Sequence, residues 1–234
     1  MATAPISISH EAIYQYIYAQ VHRKGHGYVK PGKEDLRPYL ARRKKRRTPQ
    51  GFRKSQRIFK GELPSIDDRP TVVNLRTEIG HWEDDLIVSR ESADNLKTVN
   101  ERVSGIVFIS RVQNSTAEVG DRAVTNRLQA IPSIYRKTLT RDRGSENIKY
   151  EKLSDELDIK VFFTHPYSSW ERGSNENLNG LIRRFFPKKT NFRSITDEEI
   201  QRVEYLLNSR PRKRLGWKTP YEVFYELTGV ALQH

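Results

Sequence analysis

Three carboxylates sit where an α/β chain could gather them. Asp85 lies in a segment that reads as a strand, Asp142 closes the strand-like L-T-R-D, and Glu176 sits on the helix after the next strand. Strand ends and a following helix can converge in space on such a sheet. Three acids in one cleft repel each other and must be neutralised, most economically by divalent cations. Mg²⁺ prefers one or two carboxylates plus waters and substrate phosphate oxygens. Two such ions can clamp the attacking and leaving oxygens of an in-line phosphoryl displacement. Among 29 acids many triples exist, so this inference stays weak without further support.

The segment around Glu176, S-S-W-E-R-G-S-N-E-N-L-N-G-L-I-R-R-F-F-P-K from Ser168 to Lys188, reads past Gly173 as an amphipathic helix. Leu178, Leu181, Ile182, Phe185 and Phe186 recur at helical spacing, with Ser174 as N-cap and Pro187 as stop. Glu176 falls almost opposite the apolar stripe, where a carboxylate in the first turn also complements the helix dipole. Arg172, Asn175, Asn179 and Arg183 flank it; they are a solvated face or, beside a phosphodiester site, DNA contacts.

Upstream, three strand candidates follow one another without a helix: His81 to Ser89, Lys97 to Val103 and Ile106 to Val112. Short turns between them predict an antiparallel meander. A helix (about Ala117 to Ala130), a strand (Thr138 to Asp142), a helix (about Tyr150 to Leu157) and a strand (Lys160 to Thr164) follow. The order βββαβαβα predicts a mixed sheet with flanking helices and parallel crossovers. Further helices are expected from Asp197 to Asn208 and from Pro220, an N1 proline.

The charge is concentrated at the front. Of 42 Lys and Arg residues, fifteen lie between Arg23 and Lys60, against only Glu34 and Asp35 of the 29 acids. The remainder holds 27 of each sign, so one segment carries the whole net charge of +13. Its centre is Arg42-Arg43-Lys44-Lys45-Arg46-Arg47. A flexible basic arm binds phosphates without needing a fold, so nucleic acid is the expected partner. With no cysteine, disulfides and cysteine-liganded metals are excluded. No apolar run approaches a bilayer span and no signal pattern follows Met1, so a soluble, cytoplasmic protein is expected. A short helix from Ser9 to Gln20, capped by Ser9, precedes the arm. The expected organisation is a helix in residues 1–22, a basic arm in 23–72 and a catalytic core in 73–234.

Four blocks resemble a known family. G-H-W-E-D-D-L-I (Gly80 to Ile87), L-T-R-D-R-G-S-E (Leu139 to Glu146), the H-P-Y-S-S-W-E-R-G-S-N-E-N-L-N-G-L-I-R-R-F-F-P-K block and N-S-R-P-R-K-R-L-G-W-K-T-P-Y-E-V-F (Asn208 to Phe224) are similar to the signature blocks of the IS-thirty (insertion sequence thirty) group of bacterial transposases. The resemblance covers roughly Ser9 to the end. It implies a ribonuclease H-like, retroviral-integrase-type core with an Asp-Asp-Glu triad. The last two acids of that class stand about thirty-three residues apart, and here 33 residues separate Asp142 from Glu176. By resemblance Asp85, Asp142 and Glu176 are the catalytic, metal-binding triad for two Mg²⁺ or Mn²⁺ ions. The implied partners are DNA at the element ends and at the target, engaged by a homo-oligomer in a nucleoid-associated bacterial setting.

Three departures stand out. The residue before the first catalytic Asp is usually small in the family and here is Asp84, which leaves open which of the pair is the ligand. The family alignment favours Asp85. The residue before Asp142, usually Trp, is Arg141, a cation that would weaken metal binding or add a phosphate contact. The family resembles a longer protein with an N-terminal helix-turn-helix that reads terminal repeats, whereas here only the Ser9 to Gln20 helix would correspond to it. The alternatives are therefore a truncated, non-mobilising DNA-binding remnant or a ribonuclease H-like nuclease.

Smaller candidates carry less. His22 and His26 have zinc-helix spacing, but Gly25 and Gly27 break a helix and no partner cluster accompanies them. Trp82, Trp170 and Trp217 read as core more readily than as base-stacking platforms. His165, before Pro166 at a strand end, is either structural or an aid to phosphate binding.

Overall fold

Alternating and continuous apolar runs between Gly80 and Phe163 build one five-stranded sheet, in a computed structural model that describes residues 8–22, 27–40, 63–113, 116–144, 147, 149–166 and 168–232. The strands are β1 His81–Ile87, β2 Asn95–Glu101, β3 Val107–Val112, β4 Thr138–Arg141 and β5 Lys160–Phe163. Their order across the sheet is β3-β2-β1-β4-β5. The first three form the expected antiparallel meander, while β1–β4 and β4–β5 are parallel. Helix α3 (Ala117–Leu128) makes the crossover from β3 to β4, and α4 (Glu151–Leu157) the one from β4 to β5. The central position of β1 follows from this wiring, because among the described residues it is the only strand with both an antiparallel and a parallel partner.

The two faces of the sheet bury separate apolar clusters. Trp82, Val99, Phe108 and Leu139 pack with Val124 and Leu128 of α3, Leu153 and Leu157 of α4, and Phe224 of α7 (Pro220–Thr228). Ile87, Leu96, Val107 and Ile109 pack with Leu178 and Ile182 of α5 (Gly173–Phe185) and with Ile200, Val203 and Leu207 of α6 (Asp197–Asn208). Each such side chain contributes roughly 1.5–3 kcal/mol on burial. Because successive residues of a strand face opposite sides, β1 sends Trp82 and Asp84 toward α3, and Asp85 and Ile87 toward α5.

Trp82 is fully buried, stacks on Phe108 at 5.8 Å between centroids, and donates its indole N–H to the Tyr135 carbonyl at 2.8 Å. That contact needs the chain to turn tightly at Gly80, whose φ is +104° and where a Cβ would press on the Tyr135 backbone. Trp217 is exposed, and the side chain of Trp170 lies outside the described residues.

Two compact units divide the chain, Met1–Lys54 and Ser55–His234. The first holds α1 (His10–Ala19), whose N-cap Ser9 accepts from the Ala12 amide as expected. Ile17 is its buried apolar residue, whereas Ile13 is exposed. The second holds the sheet, its helices and a single turn, α2 (Val72–Leu75), which composition did not signal. Arg42 to Arg47, at the centre of the basic arm, lie outside the described residues, as does His26.

Helix α5 begins earlier than the Ser174 cap signal suggests. A 3-10 turn, Ser169–Arg172, runs straight into Gly173, so the helix has no side-chain cap. Its apolar stripe is also narrower than the sequence periodicity. Leu178, Ile182 and Phe186 are buried, but Phe185 is 44% exposed at the edge of the contact with the sheet.

Candidate active site

The pleat of β1 decides what each of its two adjacent aspartates meets. Asp84 is fully buried on the α3 face, with Lys97 Nζ at 2.7 Å and Arg141 Nη2 at 2.9 Å. Arg141 is itself fully buried and reaches on to Asp121 of α3 at 2.6 Å. The parallel register that sets Glu83 beside Thr140 brings Asp84 level with Arg141. The two departures from the family pattern are thus each other's partners. Burial acts to raise the Asp84 carboxyl, but Arg141 and Lys97 outweigh it and hold it at about 2. Burial acts to lower Arg141, and Asp84 and Asp121 reverse that direction. This network spends Arg141 on the core and turns it away from the α5 face.

Asp85 lies on the α5 face and is only partly covered. Its Oδ1 is 3.3 Å from Nη1 of Arg172, and its Oδ2 accepts from Nδ2 of Asn179 at 2.5 Å. The same guanidinium reaches Asp142, Nη2 to Oδ2, at 3.1 Å. Asp142 follows the last residue of β4, one strand over, and its Oδ1 also accepts from Asn147 at 2.6 Å and from the Gly144 amide at 3.2 Å. Two carboxylates from neighbouring strands therefore converge on one cationic group. Burial pushes Asp85 upward, Asp142 adds to that, and Arg172 and Asn179 oppose it.

Helix α5 presents its residues to this pair at helical spacing. Asn175, one turn in, donates to the Asp84 carbonyl at 3.3 Å, where Arg172 also donates at 2.9 Å. Asn179 follows one turn later. Glu176 stands three residues before Asn179 and so beside it on the helix surface. Its side chain is exposed and makes no hydrogen bond or ion pair among the described residues. Arg183 turns the other way, donating to the Val88 carbonyl at 2.7 Å and lying over the Phe192 ring at 5.5 Å.

Of the sequence candidates, Asp85, Asp142, Arg172 and Asn179 meet in one cluster, with Asn175 fixed to the backbone beneath it. Among the described residues no three acids or histidines stand close enough to hold a metal ion together. The pair Asp85 and Asp142 still has the donor chemistry of a hard-cation site, because both carboxylates already point at one positive group. Sequence reasoning missed Asn147, whose amide fixes Asp142; its signal was the spacing of five residues in D-R-G-S-E-N. His165 has a structural place: Nδ1 contacts Glu171 at 2.8 Å and Nε2 contacts Asp67 at 2.9 Å, which ties the strand end to the turn before α5. The Glu171 hydrogen bond raises its pKa.

No protein-family model matches the chain. Among curated proteins it is 36% identical over 220 residues to the transposase of insertion sequence element IS4351 from Bacteroides fragilis, covering 94% of this chain and 64% of that protein. It is 34% identical over 225 residues to the IS1086 transposase of Cupriavidus metallidurans (95% and 63%). With the transposase InsI of element IS30A from Escherichia coli K12 it shares 35% over 231 residues (97% and 57%). The chain therefore spans about three-fifths of the length of these relatives. Among solved structures it superposes on the catalytic core domain of BIV integrase with a TM-score of 0.50 at 21% identity, over 64% of this chain and 95% of that one. The simian T-cell lymphotropic virus intasome gives 0.52 at 15% identity, over 75% and 59%. The HTLV-2 integrase catalytic core, solved in complex with magnesium, gives 0.50 at 17%, over 63% and 97%. These likenesses identify the fold as the ribonuclease H-like core of retroviral integrases, with the same class of mixed sheet and flanking helices. Over the part of those proteins that it spans, the chain is similar in sequence to IS30-type transposases.

Proposed function

We propose that this chain is the catalytic part of a DNA transposase, cutting phosphodiester bonds at element ends and joining the freed 3′-hydroxyl to target DNA. The observation that carries the reading is the convergence of Asp85 and Asp142 on a single cation position, under a helix that carries Glu176. Arg172 supplies the counter-charge at that position, and Asp85, Asp142 and Glu176 are the residues that would hold divalent ions instead. A bound Mg²⁺ or Mn²⁺ supplies Lewis acidity toward a phosphoryl oxygen and a water of lowered pKa. Asn179 and Asn147 hold the two aspartates in fixed orientation, so these two carboxylates would need little reorientation to hold an ion.

Once released from the carboxylates, Arg172 is placed to meet the negative charge of the scissile phosphate, a role its forked donors suit. Burial acts to lower its pKa but Asp85 and Asp142 raise it, so it stays charged. Glu176, exposed on α5, would be the third carboxylate to hold such an ion. The name of the HTLV-2 neighbour, a core in complex with magnesium, supports the choice of ion. DNA is the substrate, the Arg42 to Arg47 run adds phosphate affinity, and assembly of several copies on DNA accords with the intasome neighbour.

The test is nicking of supercoiled plasmid by the purified chain in Mg²⁺ or Mn²⁺. Wild type nicks, and Glu176→Gln loses nicking while its circular dichroism stays unchanged. Full nicking by the Gln variant would remove Glu176 from the site.

A further inference from the structure

A polar cavity of about 210 Å³ opens beside α5. Its floor is the end of β2, where Asn100 pairs with Glu83 just as Thr98 pairs with Asp85. Alternate residues share a face of the sheet, so the cavity and the carboxylate pair lie on the same side under the same helix. The first turn of α5, at Gly173 and Ser174, forms one wall.

Four arginines from three segments line this cavity. Arg102 leaves the end of β2, Arg76 follows α2, and Arg212 and Arg214 lie in the stretch before α7. Arg102 is buried and paired with Glu83, and its Nε donates to the Val73 carbonyl at 3.1 Å. The other three form no ion pair among the described residues and are held by neutral oxygens. Arg76 donates to Ser174 Oγ at 2.7 Å, Arg214 to the Val103 carbonyl at 2.8 Å and Arg212 to the Leu207 carbonyl at 3.1 Å.

Local acids offset only part of that charge: Glu83 pairs with Arg102, and Glu101 acts on Arg214 without forming an ion pair among the described residues. Glu101 turns its carboxylate to the amides of Gly80, Val103 and Ser104, at 3.2, 2.9 and 2.7 Å, and burial pushes its pKa up. Burial pushes Arg102 and Arg212 down to about 10, and neighbouring arginines add to the shift in both. Like charges brought out of water cost free energy unless a counter-ion joins them. Gly105, at φ +72°, shows how closely the group is drawn together: a Cβ there would strike the guanidinium ends of Arg212 and Arg214.

Asn100 is the independent sign of a ligand. It is 6% exposed, it lines the cavity, and its side-chain oxygen has no hydrogen-bond partner among the described residues. Turned over about its last bond, the amide would offer an N–H to an anion instead. Guanidinium forks and an amide donor beside an uncapped helix N-terminus are the chemistry that binds phosphate.

We infer that this cavity holds a backbone phosphate of the DNA strand whose neighbouring phosphodiester lies at Asp85 and Asp142. The DNA identity of the anion rests on the proposed function; the anion site itself does not. Arg212 and Arg214 thereby set where the strand runs along α5, and they fix which bond reaches the carboxylates.

The experiment compares the full chain with Arg212→Gln/Arg214→Gln and with Arg122→Gln/Arg193→Gln, which removes equal charge from exposed residues that do not line the cavity. Three quantities are read: the rise in melting temperature with inorganic phosphate, the salt dependence of binding to a short duplex, and nicking of supercoiled plasmid in Mg²⁺. Phosphate should stabilise wild type and the control but not the cavity variant. The log–log salt slope of the cavity variant should be shallower than that of the control by about 1 unit, the contribution of one phosphate contact. Arg76→Gln, an exposed single change, serves if the double variant does not fold. Equal behaviour of cavity variant and control would overturn the site. Lost phosphate stabilisation with an unchanged slope would overturn the DNA assignment. Absence of nicking in all chains, wild type included, would sink the proposed function while leaving the phosphate result standing.

Discussion

Asp84 and Asp85 are neighbours in one strand, yet the two sides of the sheet treat them oppositely. On the α3 side Asp84 is closed in by Lys97 and Arg141, and Arg141 by Asp121, with no exposure at Asp84 or Arg141. On the α5 side Asp85 meets Asp142 across a shared arginine at 3.3 and 3.1 Å, at a partly open surface. The first arrangement pairs each charge with protein groups, through Asp84 Oδ2 and Arg141 Nη2, while Asp84 Oδ1 and Arg141 Nη1 are buried without a hydrogen-bond partner among the described residues. The second holds two like charges together, on the side of the sheet covered by the helix that carries Glu176, an exposed residue. A strand can thus carry a core-paired and a partly exposed carboxylate in adjacent positions, because the pleat sends them to different surroundings.

The largest effect that would break this contrast is stability. Arg141→Ala leaves buried Asp84 with Lys97 as its one ion-pair partner and takes the arginine from Asp121, at a cost of about 3–5 kcal/mol in urea unfolding. Asp85→Asn keeps the shape of its site and should change stability by no more than about 1 kcal/mol. Comparable losses in the two variants would mean that both aspartates are structural.

A sharper form tests whether the two departures from the family pattern act as one. Asp84→Ala and Arg141→Trp should each destabilise, and the double variant should lose less than the sum, by about 0.5–3 kcal/mol of coupling. Strict additivity would show that the pair contributes nothing as a pair.

Arg172→Gln acts on the other side. Removing the shared cation should lower the metal-free melting temperature by about 2–4 °C, equivalent to about 1 kcal/mol for a chain of this size. It should also tighten Mn²⁺ binding several-fold in calorimetry, since the ion no longer competes with a tethered charge. Weaker Mn²⁺ binding would instead make Arg172 a support of the ion site.

The smallest effect concerns His165, which anchors the turn leading into α5. Its pKa is raised in the folded chain by Glu171 and by Asp67. Such a group contributes stability that is fully present below the unfolded value and is lost as pH rises through the folded value. Wild type should therefore melt slightly lower at pH 8 than at pH 6, and His165→Gln should show less of that difference. An identical pH dependence in the two chains would remove the imidazole from the tie.

Much of the scaffold was legible because it rests on local patterns. The meander, both crossovers and the helices at Asp197 and Pro220 follow from periodicity, cap residues and turn lengths, and the strand ends differ by about two residues. The start of α5 was misplaced because a 3-10 turn, not Ser174, feeds the helix. The pairing of Asp84 with Arg141 was not legible, since it depends on the parallel register of strands 57 residues apart. Arg172 read as a DNA contact from its position, and its bond to two aspartates needed the crossing of α5 over the sheet. The Arg212 and Arg214 cavity left no mark in the sequence beyond a run of basic residues, because four distant segments make it.

The claim that Asp85, and not Asp84, holds the catalytic cation is tested most directly by titrating Mn²⁺ into three chains: wild type, Asp85→Asn and the Asp84→Ala/Arg141→Trp double variant. Wild type and the double variant should bind the ion and nick plasmid DNA, while Asp85→Asn should do neither. Mn²⁺ binding by Asp85→Asn equal to that of wild type, with loss of binding in the double variant, would contradict the assignment and place the ion on the other face of the sheet.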